Sequence, residues 1–317
     1  MKRRLRGYTF EIFIIFNTYL LTILKGFDAE PRPYWTHPQV RSIGYYCPKD
    51  YGSPSGHAEF TVMATCCFVL ELIDTKHQKR YGFLVAFLPC VVSLSRMYLG
   101  HHSLDQVAYG LFIGLAMSML YAHGGARELV KRLLVVDTPA IRAWIWTGVV
   151  SGYLLSLWAY YSNQGQIEAH QEDAGVWMRN FNQKCNRDID EHYLNHMMLV
   201  LNCANVSNLS ASLLGFRSMI RRPGAATFAL GEWRINNKCL PHKWLSVAAF
   251  YLAGLALPAA GYLLTLLVPF FFGANPTTKL VQLNLAILLG SYSYSAYAYP
   301  IQRHFNLIEV GPAPKQE

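Results

Sequence analysis

The stretch Tyr51–Leu72, "YGSPSGHAEFTVMATCCFVLEL", decides how this chain folds. It opens on turn-forming residues, passes through Ser55, Gly56 and His57, and runs on in residues that are almost all apolar. Pro, Gly and Ser ahead of such a run mark the entry to a helix. A helix this apolar is either buried in a protein core or sunk in a bilayer, and the runs elsewhere decide which.

Working outward, apolar runs recur at residues 9–24, 57–73, 81–99, 103–122, 144–161, 197–216, 244–272 and 280–300. Several reach the ~20 residues that cross about 30 Å of hydrocarbon. The seventh holds Pro258, which predicts a kink or a tilt. Of the 317 residues 52% are apolar and 15% charged, well short of the roughly 25% charge of soluble domains. The expectation is an all-α, polytopic membrane bundle of about eight transmembrane helices. It reads as one domain over 1–317, with a chemical core at 25–106 and a helical remainder at 140–317.

Charge sets the orientation. With the N-terminus in the cytosol and sides alternating, 19 of the 28 Lys and Arg fall on the inner side, so both termini are expected there. The net charge of +9 is then a topology signal. It is spread over five loops, which argues against a nucleic-acid surface. The opening "MKRRLRGYTFEIFIIF" resembles a secretory signal. Cleavage after Ala29 would put Phe27 at a position that wants a small residue, so the segment reads as an uncleaved anchor.

Cys66, Cys67, Cys90 and Cys203 fall within spans and read as small apolar packers, with Cys239 on the inner side. Cys47 and Cys185 are the two cysteines in outer segments, and an oxidising compartment would allow them to pair. No internal repeat, low-complexity tract or usable outer glycosylation site is evident.

Three clusters fall on the outer side, each at the end of a span. "KGFDAEPRPYW" carries Lys25, Arg32 and Pro33; "YGSPSGH" carries Ser55, Gly56 and His57; "SRMYLGHHSLDQV" carries Ser95, Arg96, His101, His102 and Asp105. Lys25, Arg32 and Arg96 supply permanent cations, two of them guanidinium forks that match a phosphate. Ser55 and Gly56 precede a helix, whose N-terminal N–H groups attract anions. Two histidines from different spans add a nucleophile and a proton donor near neutral pH. Cations for the equatorial oxygens and a histidine pair for attack and protonation make a phosphoryl-transfer site at the outer mouth of the bundle.

The ordered triple resembles the type 2 phosphatidic acid phosphatase superfamily of histidine phosphatases. Its motifs are Lys-x6-Arg-Pro, Pro-Ser-Gly-His and Ser-Arg-x5-His-x3-Asp. Here they read Lys25 to Arg32-Pro33, Pro54-Ser55-Gly56-His57, and Ser95-Arg96 to His102. The resemblance implies His102 as the nucleophile that forms a phosphohistidine and His57 as the general acid. It implies Lys25, Arg32, Ser55, Gly56 and Arg96 as the phosphate-binding set, and no metal or cofactor. It covers a third of the chain.

One position departs. The family's aspartate comes four residues after the nucleophile; here that position is Gln106 and Asp105 stands at three. Both spacings share a helix face, so Asp105 is expected to orient His102, with a His101–Asp105 pair as the alternative. Gln106, "RPYW" and Cys47 eight residues before Ser55 lean towards the glucose-6-phosphatase branch, whose members carry one more span before the lysine. The rival branch acts on lipid phosphates. The expected partners are therefore the bilayer and a phosphorylated lipid or sugar phosphate. The expected compartment is the endoplasmic reticulum with a lumenal site, or the plasma membrane. A phosphotransferase and an inactive membrane scaffold or transporter are the other classes. The outer segment 162–196 reads as a solvated loop, or as a cover carrying Trp177, Met178, Phe181 and Tyr193.

Overall fold

The computed structural model describes residues 3–43, 47–73, 75–123, 125–169, 171–221, 233–235, 276–304 and 308–310, with single positions at 245, 248 and 252. Apart from those three positions the expected span 244–272, with Pro258, lies outside the described residues, as does Cys239.

Among the described residues the fold is helical. The helices are α1 (Arg3–Asp28), α2 (Pro33–Thr36), α3 (Gly56–Leu72), α4 (Thr75–Tyr81), α5 (Phe83–Tyr98) and α6 (Leu104–His123). They continue with α7 (Ala126–Val135), α8 (Pro139–Ala169), α9 (Gln171–Cys185), α10 (Glu191–Ile220) and α11 (Pro276–His304). The departure from all-α is one ladder, β1 (Trp233–Ile235) antiparallel to β2 (Ile308–Val310), with Trp233 opposite Val310.

Among the described residues five stretches are long and apolar enough to cross a membrane: Gly7–Thr36, His77–Tyr98, Leu104–His123, Pro139–Glu168 and His192–Ile220. The apolar stretch of α3, Gly56–Leu70, is shorter, and α11 is not among the five. The expected count of eight is therefore not reached among the described residues. Lipid as solvent explains the outward faces of these helices: Leu94 on α5 is 63% exposed and Phe112 on α6 is 70% exposed. Water would penalise such a surface.

The chain divides into two compact units. One comprises residues 1–15, 128–149 and 204–317, and its core gathers Leu5, Ile12, Val130, Leu134, Leu213, Phe216 and Met219. There Asp137 pairs with Arg142, Arg217 and Arg221. The other comprises residues 16–127 and 150–203 and holds all three motif clusters.

In that second unit α3 packs against α5 and α6. Close approach to α6 depends on Gly110 and Gly114, a Gly-x-x-x-Gly pair. A Cβ on Gly110 would lie 2.4 Å from the Ser55 carbonyl oxygen, and one on Gly114 2.5 Å from that of Glu59. The segment 162–196 is not a solvated loop. It forms the end of α8, all of α9 and the start of α10, and α9 packs on α2. Phe181 and Met178 join Tyr34, Trp35 and Tyr51 in a buried cluster. Asn180 and Lys184 donate to the carbonyls of Trp35, Tyr34 and His37, so the last turns of α9 anchor α2. A disulfide joins Cys47 to Cys185 at the end of α9, the pairing that outer placement allowed.

Candidate active site

The three clusters meet at one cavity of about 550 Å³ in the second unit. Lys25, Arg32, Gly56, His57, Arg96, His101 and His102 all line it, and so does Asp50. Each arrives by a different piece of local structure. Lys25 ends α1, and Arg32 immediately precedes the short α2, whose first residue is Pro33. Ser55 caps the N-terminus of α3, and Arg96 lies in the last turn of α5. Gly100, just past α5, has φ +71°, and a Cβ there would lie 2.4 Å from the Arg41 carbonyl oxygen. Only glycine accepts that turn at low cost, and it delivers His101 and His102 to the cavity.

His102 is held at both ring nitrogens. Nδ1 lies 2.8 Å from the Gly52 carbonyl oxygen, and Nε2 lies 3.1 Å from Arg32 Nη1. A carbonyl only accepts and a guanidinium only donates. Nδ1 therefore carries the proton, and Nε2 presents its lone pair towards the cationic cavity. Burial, then Arg32 and Lys25, push the His102 pKa down to about 2. The ring is therefore neutral at physiological pH.

Arg32 organises the site. Its Nε donates to the Asp50 carbonyl oxygen at 2.7 Å and its Nη2 to Asp50 Oδ1 at 2.8 Å. Its Nη1 also donates to the His101 carbonyl oxygen at 2.9 Å. Lys25 pairs with Asp50 Oδ2 at 3.0 Å and donates to the Tyr51 carbonyl oxygen. Asp50 thus bridges the two cations. Burial alone would raise its pKa, but Arg32 and Lys25 prevail and hold it well below the usual carboxylate range. Sequence reasoning missed Asp50, because an aspartate in a turn-rich segment carries no periodic signal. Its position five residues before Ser55 was the available hint.

Ser55 departs in part from the expected role. Its N–H donates to the Gln106 carbonyl oxygen at 3.0 Å and so is not open to a ligand. Its Oγ is buried and has no hydrogen-bond partner among the described residues. The first-turn N–H groups of Gly56, His57 and Ala58 have no acceptor within the helix. A Cβ on Gly56 would lie 2.7 Å from Leu21 Cδ2, so glycine lets α3 start against α1.

Asp105 is a correction. It sits exposed in the first turn of α6, and among the described residues it makes no hydrogen bond or ion pair, to His102 or to His101. The Gly52 carbonyl takes the orienting place. Gln106, buried, packs against Gly52: its Nε2 donates to the Pro31 carbonyl oxygen at 2.9 Å, and a Cβ on Gly52 would lie 2.6 Å from that same nitrogen. His101 bonds elsewhere, with Nε2 3.0 Å from Ser42 Oγ, and burial followed by Arg32 and Arg96 brings its pKa down to about 4. Among the described residues no group of three or more His, Cys, Asp or Glu is placed to hold a metal ion.

Residues 8–128 match the model of the PAP2 superfamily. All of the motif residues fall within the matched stretch. The dolichyldiphosphatase of Saccharomyces cerevisiae is 32% identical over 120 residues, 34% of this chain and 45% of that protein. Dolichyldiphosphatase 1 of Rhinolophus ferrumequinum is 28% identical over 158 residues, 45% of this chain and 60% of that protein. Glucose-6-phosphatase catalytic subunit 1 of Rattus norvegicus is 32% identical over 133 residues, 34% of this chain and 36% of that protein. The chain thus spans between 36% and 60% of the length of these relatives. No solved structure matches.

Proposed function

We propose that this chain is an integral membrane phosphatase that hydrolyses a phosphate ester through a phosphohistidine on His102. The observation that carries this reading is the pair of contacts of the His102 ring, Nδ1 at the Gly52 carbonyl oxygen and Nε2 beside Arg32, in a cavity that Lys25, Arg96 and His57 also line.

Lys25, Arg32 and Arg96 hold the equatorial oxygens, with the first-turn N–H groups of α3 as neutral donors. His102 Nε2 attacks phosphorus, a P–N bond forms and the bond to the leaving oxygen breaks. His57 gives that oxygen its proton. His57 then takes a proton from water, which attacks the phosphohistidine. Inorganic phosphate leaves and Nε2 regains its lone pair. Preorganised cations stabilise the charge that spreads over the transferring group in both steps.

A lipid phosphate is the substrate class best supported. Leu21, Phe60, Met198 and Leu201 form an apolar side of the cavity, and Phe60 is 41% exposed. An acyl or prenyl chain fits that opening while its phosphate reaches the cations. The relatives named for dolichyl diphosphate point the same way; the one named for glucose 6-phosphate keeps a sugar phosphate in the test. The site faces the lumen of the endoplasmic reticulum, consistent with the basic bias of the other side and with a disulfide on this one.

The test is phosphate release by the detergent-purified protein in chelator, beside its His102→Ala variant. The substrates are phosphatidate, a sphingoid base phosphate, a polyprenyl diphosphate and glucose 6-phosphate. Release by the folded wild type that the variant lacks supports the reading. Equal release by both, or none by the folded wild type, overturns it. An added alcohol that captures the phosphoryl group identifies a transferase instead.

A further inference from the structure

A second cavity, of about 320 Å³, lies in the same unit and shares no lining residue with the catalytic one. Its chemistry is the opposite. Asp28, Glu30 and Asp173 line it, and among the described residues no Lys, Arg or His does. The aromatic side chains of Trp35, Tyr51 and Trp177 line it as well.

Two buried polar atoms of its lining are left without partners. Trp35 and Asn163 are both fully buried, and among the described residues neither Trp35 Nε1 nor Asn163 Oδ1 has a hydrogen-bond partner. Asn163 uses its other end fully: Nδ2 donates to Tyr51 Oη and to Asn195 Oδ1, both at 3.0 Å. That pair of bonds fixes the amide so that Oδ1 is the free atom. One idle donor and one idle acceptor cost free energy in a dry site unless a ligand or water meets them.

We propose that this cavity is a second ligand site, built for a small neutral polyhydroxylated molecule such as a monosaccharide. A hydroxyl group both accepts, as Trp35 Nε1 requires, and donates, as Asn163 Oδ1 requires. An ammonium ion cannot accept, so it answers half of the lining. A phosphate ester is repelled by the three carboxylates. Aromatic faces and carboxylate acceptors suit the C–H face and the hydroxyls of a sugar ring. The volume, at the low end of the roughly 300–1,000 Å³ usual for ligand pockets, admits one ring and not a long chain.

The two cavities are separated by shared backbone. The Tyr51 ring faces one while its carbonyl holds Lys25 of the other, and Gly52 N–H donates to the Glu30 carbonyl oxygen at 2.7 Å. The second site therefore sits behind the wall that orients Lys25 and His102. Its ligand is a hydroxylated molecule without phosphate.

The test is a saturation-transfer NMR titration of the detergent-purified full chain with D-glucose, with choline as the cationic comparison. Saturable glucose binding is expected, unaffected by inorganic phosphate and kept within about twofold in His102→Ala. Asp173→Leu, at an exposed position, should weaken it about threefold with the melting midpoint unchanged, and Trp177→Leu, at a half-buried position, about tenfold in protein that remains folded. Absence of saturation leaves a water-filled cavity and overturns the proposal, as does a preference for choline. Displacement by phosphate, or loss in His102→Ala, would move the sugar to the catalytic cavity and equally overturn it. Wild-type binding in both rim variants would do the same. Because the titration needs no turnover, its failure leaves the phosphatase reading standing, and an inactive enzyme leaves this one standing.

Discussion

His102 and Gly52 form the contact on which the proposed chemistry turns: the imidazole Nδ1 donates to the Gly52 carbonyl oxygen at 2.8 Å. A backbone acceptor cannot titrate, so it fixes the tautomer at every pH. An aspartate in that position would add charge to the ring's partner; a carbonyl supplies orientation alone. Arg32 meets the opposite nitrogen and makes protonation of Nε2 costly.

The Arg32 fork therefore does more than bind phosphate, since it also contacts Asp50, the His101 carbonyl and His102. Arg32→Lys should fail almost as badly as Arg32→Ala, because an ammonium cannot reach three partners in one plane. Loss of one preorganised donor costs about 10²–10³ in kcat, roughly 2.7–4 kcal/mol. Steady-state kinetics on the best substrate checks this; a lysine variant within tenfold of wild type would reduce Arg32 to a simple point charge.

The lowered histidines make a pH prediction whose sign is fixed. In the folded chain His102 and His101 bind protons only near pH 2 and 4, whereas the unfolded chain binds them near about 6.5. From about pH 6.5 downward the unfolded state takes up protons that the folded state refuses, so stability falls as pH falls. Each such group contributes a slope of up to about 1.4 kcal/mol per pH unit in that window. Asp50, held low by its cations, acts only below the ordinary carboxylate range and stays out of it. Melting midpoints between pH 7.5 and 5 should decline, and less steeply in His102→Asn. Parallel slopes would refute the assignment.

Asp50 closes the ring of charge between Lys25 and Arg32. Asp50→Asn leaves two buried cations without their anion, which costs about 3–5 kcal/mol in buried pairs. An oxyanion then takes the place of the carboxylate. Vanadate should raise the melting midpoint of Asp50→Asn by more than it raises that of wild type. Equal shifts would mean that the cations do not face the anion site.

How much of this was legible beforehand follows from what each residue signals. Order and spacing survive in a linear text, and six of the motif residues, Lys25, Arg32, Gly56, His57, Arg96 and His102, line one cavity, whereas Ser55 and Asp105 are not in its lining. The long apolar runs read as helices for the same reason. Asp105 misled because i+3 and i+4 share a helix face only when both residues are helical, and here α6 begins at Leu104, after His102. Residues 162–196 misled because their polar composition hides a helix whose partner, α2, lies more than a hundred residues away. Gly110 and Gly114 were passed over, since a tight approach of α6 to α3 exists only in three dimensions.

That correction is itself testable. Asp105→Asn should leave kcat/KM within about threefold, since an exposed side chain without partners touches nothing in the site. Gln106→Leu should cost about tenfold or more, because it frees the Pro31 carbonyl and the backbone on which His102 depends. The reverse ranking would restore the aspartate to the role that spacing first gave it.

The Cys47–Cys185 bond ties the segment before Asp50 to the end of α9 across 138 residues of chain. Lys184 beside it already donates to the carbonyls of Tyr34 and His37, so the native contacts remain when the bond is absent. Cys185→Ser should then act mainly on the unfolded chain, lowering stability by about 2–5 kcal/mol. Activity at low temperature should stay near wild type, while the half-life at the growth temperature shortens. Reductant should reproduce the effect in wild type and add nothing to the variant. If Cys185→Ser abolishes turnover while its melting midpoint is unchanged, the bond positions Asp50 directly, and the account of α9 as an anchor fails.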